Sequence, residues 1–355
     1  MPHPVHEDVL RFIGDPSADS FERLALEVFA HQFTAVDPYR RWCVGRGASP
    51  ESISDWRHIP PVPIEAFKSV DLCCAPPERV FRSTGTTQGA QRRSRHLMPD
   101  LRLYRSAAVY SLRSFLFADI ERIRIVSLIE PASERPDSSL AQMVAWAIET
   151  FADQGSGYAV DERGLDRDRL IALLRESERS GHPCCVMTTT GTLIRVLDDF
   201  NRHGLAFRLP HGSRLMDTGG DKGAPRHLSR NGLLHACWSA FAIPGYFSVN
   251  EYGMAEMASQ FYDNVIADRL AGRHRARFKV SSHWVRTLVL DPTSLAPLPP
   301  GTPGLLCHFD LANAGTAMAV LSEDVGRAVD GGFELLGRVP HAEVRGCSLS
   351  LAEWP

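Results

Sequence analysis

Residues 81–96, FRSTGTTQGAQRRSRH, gather five hydroxyl side chains (Ser83, Thr84, Thr86, Thr87 and Ser94), two glycines and four arginines around one bend. Hydroxyls and glycine amides suit a loop that wraps phosphate oxygens, because successive backbone N–H groups form an anion-binding nest. The G-x-x-x-x-G-K-[ST] spacing of a Walker loop and its lysine are absent. A polar surface loop, its hydroxyls bonded back to the main chain, is the other reading these residues allow. The chain holds three lysines, Lys68, Lys222 and Lys279, and arginine carries nearly all its positive charge. A mechanism that needs a flexible point charge at a phosphate therefore has three candidates.

A second stretch, residues 249–260 (VNEYGMAEMASQ), sets an aromatic, Tyr252, close to a carboxylate, Glu256. Alone, the glutamate would read as a solvated helix residue and the tyrosine as ordinary packing. Taken with the first loop, the stretch resembles the adenylate-forming superfamily of acyl-CoA synthetases, peptide-synthetase adenylation domains and luciferases. Two more segments follow in the order of that superfamily. Leu321-Ser322-Glu323-Asp324-Val325-Gly326 is similar to its aspartate motif, and Gly337-Arg338 followed by Glu343-Val344-Arg345-Gly346-Cys347 looks like the hinge that ends its large domain. The resemblance implies ATP and Mg²⁺ as cofactors. It places Ser83, Thr84, Gly85, Thr86 and Thr87 on the phosphates, Tyr252 and Gly253 at adenine, Glu256 on magnesium, and Arg338 at the ribose or α-phosphate. Asp324 would accept from both ribose hydroxyls, although Glu323 beside it leaves open which carboxylate faces the nucleotide.

Within that superfamily the chain looks like the acyl-protein synthetases, the LuxE-type subunit of bacterial fatty-acid reductase. The likeness rests on Met216-Asp217-Thr218-Gly219-Gly220-Asp221-Lys222, on Asn250-Glu251-Tyr252-Gly253-Met254 and on Arg345-Gly346-Cys347-Ser348. Most superfamily members continue past the hinge into a mobile domain of roughly a hundred residues. Only Ser348 to Pro355 remain here, as in the similarly short acyl-protein synthetases, so that domain and its lysine are expected to be absent. Lys222 is then the candidate for the catalytic charge, a partner's charge being the other source. Gly219 and Gly220 would let the backbone approach nucleotide or acyl group closely. Cys347 is the candidate acyl acceptor, forming a thioester; Arg345 could lower its pKa. A small buried residue closing the last turn is the alternative for Cys347.

Three departures from the superfamily pattern are visible. Gln88 intrudes between threonine and glycine in the first loop, with arginines in place of the usual lysine. Ala255 replaces a threonine near the expected metal, and Ser322-Glu323-Asp324 stands for Thr-Gly-Asp.

The elements that would position these residues can be read from hydrophobic period. Residues 1–75 read as a helical N-terminal extension, with Phe21, Leu24, Ala25, Val28 and Phe29 at three- and four-residue spacing. The cluster Pro60-Pro61-Val62-Pro63 breaks that pattern. Residues 76–337 alternate strand and helix and form the adenylate-forming core, with 338–355 as hinge remnant and C-terminus. Strands are expected at 123–129, 184–187, 214–216 and 247–249, and helices at 139–151 and 192–201. Motifs fall at the C-terminal ends of the strands, where open α/β sheets bind ligands. Strands at 284–290, 304–309, 318–321 and 333–336 predict a second, more antiparallel sheet. The fold class is α/β: stacked mixed sheets flanked by helices plus a smaller β-rich subdomain. An acyl pocket is expected among Thr189, Trp238, Phe241, Tyr246 and Met254, which could equally be core.

Composition narrows the class. With 355 residues and 44% hydrophobic content the chain can bury a large core. A formal charge of −3 argues against a nucleic-acid partner held by bulk electrostatics. Neither a membrane span nor a signal peptide is visible. Eight cysteines without a Cys-x-x-Cys spell neither a zinc site nor a disulfide framework, which makes a reducing cytoplasm the expected location. The reading is an ATP-dependent ligase that activates a fatty or aromatic carboxylic acid as its acyl-adenylate. The acyl group would pass to a thiol: its own Cys347, a partner or carrier protein, or coenzyme A. An acyl- or aryl-CoA ligase, and a non-catalytic nucleotide-binding subunit of a reductase or synthase complex, are the alternatives.

Overall fold

The computed structural model describes residues 3–83, 93–161, 163–220 and 226–338. They fall into two contact units: one drawn from Met1–Tyr110, Met254–Phe261 and Phe278–Pro355, the other from Ser111–Gly253 and Tyr262–Arg277.

The first unit opens with helices α1 (Pro4–Gly14), α2 (Phe21–Ala35) and α3 (Asp37–Val44). Helix α1 starts where Pro4 cannot donate a backbone bond and His3 accepts one from Val5. Ser20 caps α2, whose predicted apolar face, Phe21, Leu24, Ala25, Val28 and Phe29, is buried. That face also buries Gln32, whose amide donates to the carbonyls of Asn313 (2.9 Å) and Ala314 (3.1 Å) and accepts from the Met318 N–H (3.1 Å). Strands Val285–Leu290, Pro303–Asp310, Ala319–Val329, Gly332–Arg338 and the short Lys279–Val280 lie side by side in that order, each antiparallel to the next. These late strands are antiparallel, as expected, but they are part of one larger sheet rather than a second one, and the third is longer than the run 318–321 suggested. Val62–Pro63 pairs in parallel with that strand at Val320 and Leu321. Gly326 is needed there: a Cβ would stand 2.6 Å from the Glu334 carbonyl oxygen and 2.7 Å from Leu306. A separate hairpin pairs Arg79–Arg82 with Arg95–Met98.

Helix α4 (Leu101–Phe115) carries the chain onward. The second unit holds a parallel sheet ordered Ser248–Tyr252, Arg214–Thr218, Cys184–Thr189, Arg124–Ser127, Gly157–Tyr158. Strands Arg124–Ser127 and Arg214–Thr218 are buried along their whole length, as parallel strands covered by helices must be. Arg214 is accommodated there by pairing: fully buried, it donates to both Asp119 carboxylate oxygens and to the Leu116 carbonyl. Helices α5 (Ser139–Phe151), α6 (Arg167–Ser180), α7 (Thr190–Arg202) and α8 (Arg230–Phe241) connect the strands, and α5 has the bounds its periodicity predicted.

Candidate active site

In the first unit the predicted phosphate loop is the connection of the Arg79–Arg82/Arg95–Met98 hairpin. Its two described ends are clasped: the Ser83 N–H donates to the Ser94 carbonyl (3.1 Å), and the Ser94 N–H to the Ser83 hydroxyl oxygen (3.0 Å). The side chain of Arg93 adds a bond to the Ser83 carbonyl. Thr84, Gly85, Thr86 and Thr87 lie outside the described residues, as do Lys222 and Cys347.

Glu256 belongs to the same unit and is buried, 4% exposed. Its loop is pinned from several sides. The Asn313 amide donates to the Glu256 carbonyl (3.0 Å) and accepts from the Ala258 N–H (2.9 Å). His96 spans from the Ala255 carbonyl (2.9 Å) to the Thr316 hydroxyl (3.2 Å). The Ser259 N–H and hydroxyl both donate to Asp310, a carboxyl that burial pushes up to about 6 against these bonds. Burial also raises the pKa of Glu256, opposed by a hydrogen bond from Ser94, a backbone bond, and the charges of Arg338 and Lys68. Glu256 and the Ser94 hydroxyl bonded to it offer oxygen donors of the kind that a hard cation such as magnesium takes.

Asp324 and Arg338 stand opposite each other on neighbouring strands, and Arg338 Nε donates to Asp324 Oδ1 at 2.8 Å. Alternation along the strand buries Asp324 and leaves Glu323 partly exposed on the other face. Ser322 locks the turn of chain before the aspartate: it accepts from the Asp324 N–H (3.1 Å) and donates to the Leu306 carbonyl (2.8 Å). Arg338, half exposed at 53%, feels both carboxylates, so Glu256, Asp324 and Arg338 form one electrostatic group. His96 and Asn313 carry no sequence signal, and Ser94 and Lys68 enter the sequence reading only as one of five loop hydroxyls and one of three lysines. Lys68, one of only three lysines, was the nearest to a legible signal.

In the second unit the motif residues sit at strand ends. Asp217, fully buried near the end of Arg214–Thr218, collects Thr190 (2.8 Å), Arg230 (2.7 Å) and Asn250 (2.9 Å). The Thr218 hydroxyl donates to Glu251, and Arg277 pairs with Asp263. Arg230 keeps its charge despite burial because Asp217 and Asp263 outweigh the desolvation and raise its pKa. Gly219 follows with φ +76° and open space around its Cα, so backbone conformation is what calls for glycine there. Gly220 likewise has open space around it. Tyr252 ends its strand and is buried, with Gly253 next.

The residues expected to line an acyl pocket have diverse surroundings. Thr189 caps α7 through the Thr192 N–H. Phe241 is buried against Phe200 at 5.9 Å between ring centroids. Trp238 on the same helix is 51% exposed, and Tyr246 lies against Phe247 with the Arg269 guanidinium 3.8 Å over its ring. Met254 belongs to the first unit.

The fold is that of adenylate-forming ligases. Among solved structures it is similar to 2-hydroxyisobutyryl-CoA ligase in complex with 2-HIB-AMP and CoA, with TM-score 0.62 and 13% identity over 90% of this chain and 75% of that one. The same ligase in its postadenylation state gives 0.63 at 14% identity, covering 90% and 68%. A long-chain-fatty-acid-CoA ligase from Archaeoglobus fulgidus gives 0.51 at 14% identity, covering 74% and 52%. A family model for the acyl-protein synthetases, LuxE, matches residues 7–354, and the chain belongs to that family. It is similar as well to the long-chain-fatty-acid–luciferin-component ligase of Vibrio harveyi, at 21% identity over 98% of this chain and 93% of that protein. The chain is accordingly an adenylate-forming ligase, which activates an acid with ATP and ligates it. No helix among the described residues is long and apolar enough to cross a membrane.

Proposed function

We propose that this enzyme converts a fatty or aromatic carboxylic acid into its acyl-adenylate and passes the acyl group to a thiol. The observation that carries the reading is Glu256: a buried carboxylate on a pinned loop, sharing the field of Arg338 with Asp324. Attack by the acid's carboxylate oxygen on the α-phosphorus forms one P–O bond and breaks the one to pyrophosphate. Both reactants are anions, so the site must gather positive charge and donors. Magnesium on Glu256 would neutralise phosphate charge and orient the leaving pyrophosphate. Asp324 takes the ribose hydroxyls and Arg338 the ribose or α-phosphate. Tyr252 stacks on adenine, and the hydroxyls from Ser83 to Thr87 hold the outer phosphates. Lys222 is the candidate charge at the reacting centre. In the second half-reaction a thiol, having lost its proton, attacks the acyl carbon and AMP leaves. Cys347, a carrier or partner protein, or coenzyme A can be that thiol. The name of the Vibrio harveyi relative supports a long-chain fatty acid over an aromatic one.

ATP–pyrophosphate exchange with a panel of fatty and aromatic acids tests the first half. Acid-dependent exchange is expected, strongest with long chains and lost in Lys222→Ala; ATP binding without exchange for any acid would sink the reading. For the second half, labelled acid should leave hydroxylamine-labile label on the wild type and none on Cys347→Ser, with exchange retained. Label appearing only on added coenzyme A would make the protein an acyl-CoA ligase instead.

A further inference from the structure

Three Lewis-base atoms converge in the first unit. They belong to His6 on α1, His31 on α2 and Cys74 in the segment before the hairpin, and a ligand atom from each lies within 4.8 Å of the other two. His6 is buried, 2% exposed, and its Nε2 finds no hydrogen-bond partner; neither does the buried Nε2 of His31.

The tautomer of His6 follows from its neighbour. Its Nδ1 lies 3.3 Å from Asp100 Oδ2. The Asp100 carboxylate also accepts from the Arg102 N–H (3.1 Å) and guanidinium (2.9 and 2.8 Å), so it is the acceptor of the pair. A proton on Nδ1 leaves Nε2, which has no partner, as the nitrogen available to a metal. A carboxylate behind an imidazole in this way is the usual second layer of a metal-binding histidine, fixing tautomer and ring orientation. The Cys74 N–H donates to the Gly315 carbonyl at 2.9 Å, which sets the backbone that carries the thiol.

We propose that His6, His31 and Cys74 form a transition-metal site, selective for zinc, that clips α1, α2 and the Cys74 segment together. Two imidazoles and one thiolate suit Zn²⁺ rather than the hard ions that prefer oxygen. Zinc–ligand bonds of 2.0–2.3 Å set ligand atoms roughly 3.5 Å apart in a tetrahedron, so closure needs about an ångström of contraction. A water takes the fourth position. Coordination takes the sulfur as thiolate, forming the metal–sulfur bond and releasing the thiol proton to solvent.

The sequence hides this site because its ligands stand at 6, 31 and 74, with none of the short spacings that zinc motifs show. The test is titration of the chelator-stripped full chain with Co²⁺, followed by Zn²⁺. One equivalent of Co²⁺ is expected to give tetrahedral d–d bands and a thiolate-to-metal charge-transfer band in the near ultraviolet, both erased by Zn²⁺. Cys74→Ser should abolish the charge-transfer band, and His31→Ala should weaken binding at least tenfold. Cys73→Ser should change nothing, because the Cys73 thiol is directed to the carbonyls of Ala75 and Leu97. Zinc should also raise the wild-type unfolding midpoint, a readout independent of catalysis. Folded wild type that shows no band under excess Co²⁺, or a band of equal strength in Cys74→Ser, would overturn the proposal and leave a trapped water as the partner of the two imidazoles. Should Cys74→Ser not fold, His31→Ala decides the question, with circular dichroism reporting its fold.

Discussion

Replacing Glu256 by glutamine keeps the shape of the side chain and removes its charge, which separates two consequences. Desolvation is the first cause of the raised pKa of Glu256, so the neutral amide should leave folding stability equal or higher. Pyrophosphate exchange in Glu256→Gln should fall by about 10²–10³, the usual loss when one preorganised charge or donor at developing phosphate charge is removed. Exchange at wild-type rates would remove Glu256 from the site. A destabilised variant would mean that the carboxylate is structural. The opposed expectations follow from one fact, that sites which store unfavourable charge give up stability for function. The candidates Glu256, Asp324 and Arg338 could be picked out because their motifs keep the order and spacing of the superfamily. Ser94 and Asn313, which hold Glu256, could not be, since residues so far apart in sequence leave no local pattern.

Among the elements, α2 shows how a helix positions a loop it does not contain. Its Gln32 amide holds the Asn313, Ala314 and Met318 backbone, and Asn313 holds Glu256 and Ala258. Gln32→Ala would strip the side-chain partner from the Ala314 carbonyl and the Met318 N–H, while the Asn313 carbonyl keeps its bonds from Thr316; the loss should be about 1–3 kcal/mol. Urea unfolding should show that loss as a lower midpoint with an unchanged slope. A cost below about 0.5 kcal/mol, the range of ordinary surface changes, would show that Gln32 holds nothing. Elements with strong period were legible: α5, the apolar face of α2, and the antiparallel strands between 285 and 338. The hairpin around Ser83 was not, because Arg79–Arg82 and Arg95–Met98 are arginine-rich and lack the alternation that marks a strand. Their pairing is imposed by the chain around them.

For the whole molecule, acid sensitivity follows from buried histidines. Burial lowers His31 and His96 to about 4 and His308 to about 3, whereas it raises Asp310 to about 6 and also raises Glu256. Between pH 4 and 6 the unfolded chain therefore binds more protons at these three histidines than it gives up at the two carboxyls. Stability should rise with pH across that window. It should rise further until the unfolded histidines lose their protons near 6.5. Urea midpoints at pH 4.5 and pH 6 measure this, and a midpoint that falls with rising pH would contradict it. The two contact units, assembled from three segments and two, were beyond the reach of composition. Discontinuous segments are joined by contacts, and single-sequence patterns record only neighbours.

The parallel pairing of Val62–Pro63 with Val320 and Leu321 has a consequence for how the protein is made. Translation runs at roughly 5–20 residues per second, so the partner strand leaves the ribosome roughly ten seconds to a minute after the first residues that need it. Through that interval the apolar faces of α1 and α2 wait for the sheet that will cover them. The segment 111–253 of the second unit can meanwhile fold behind them as it emerges. The nascent amino-terminal helices are thus the part of this chain that a cellular chaperone has most reason to hold.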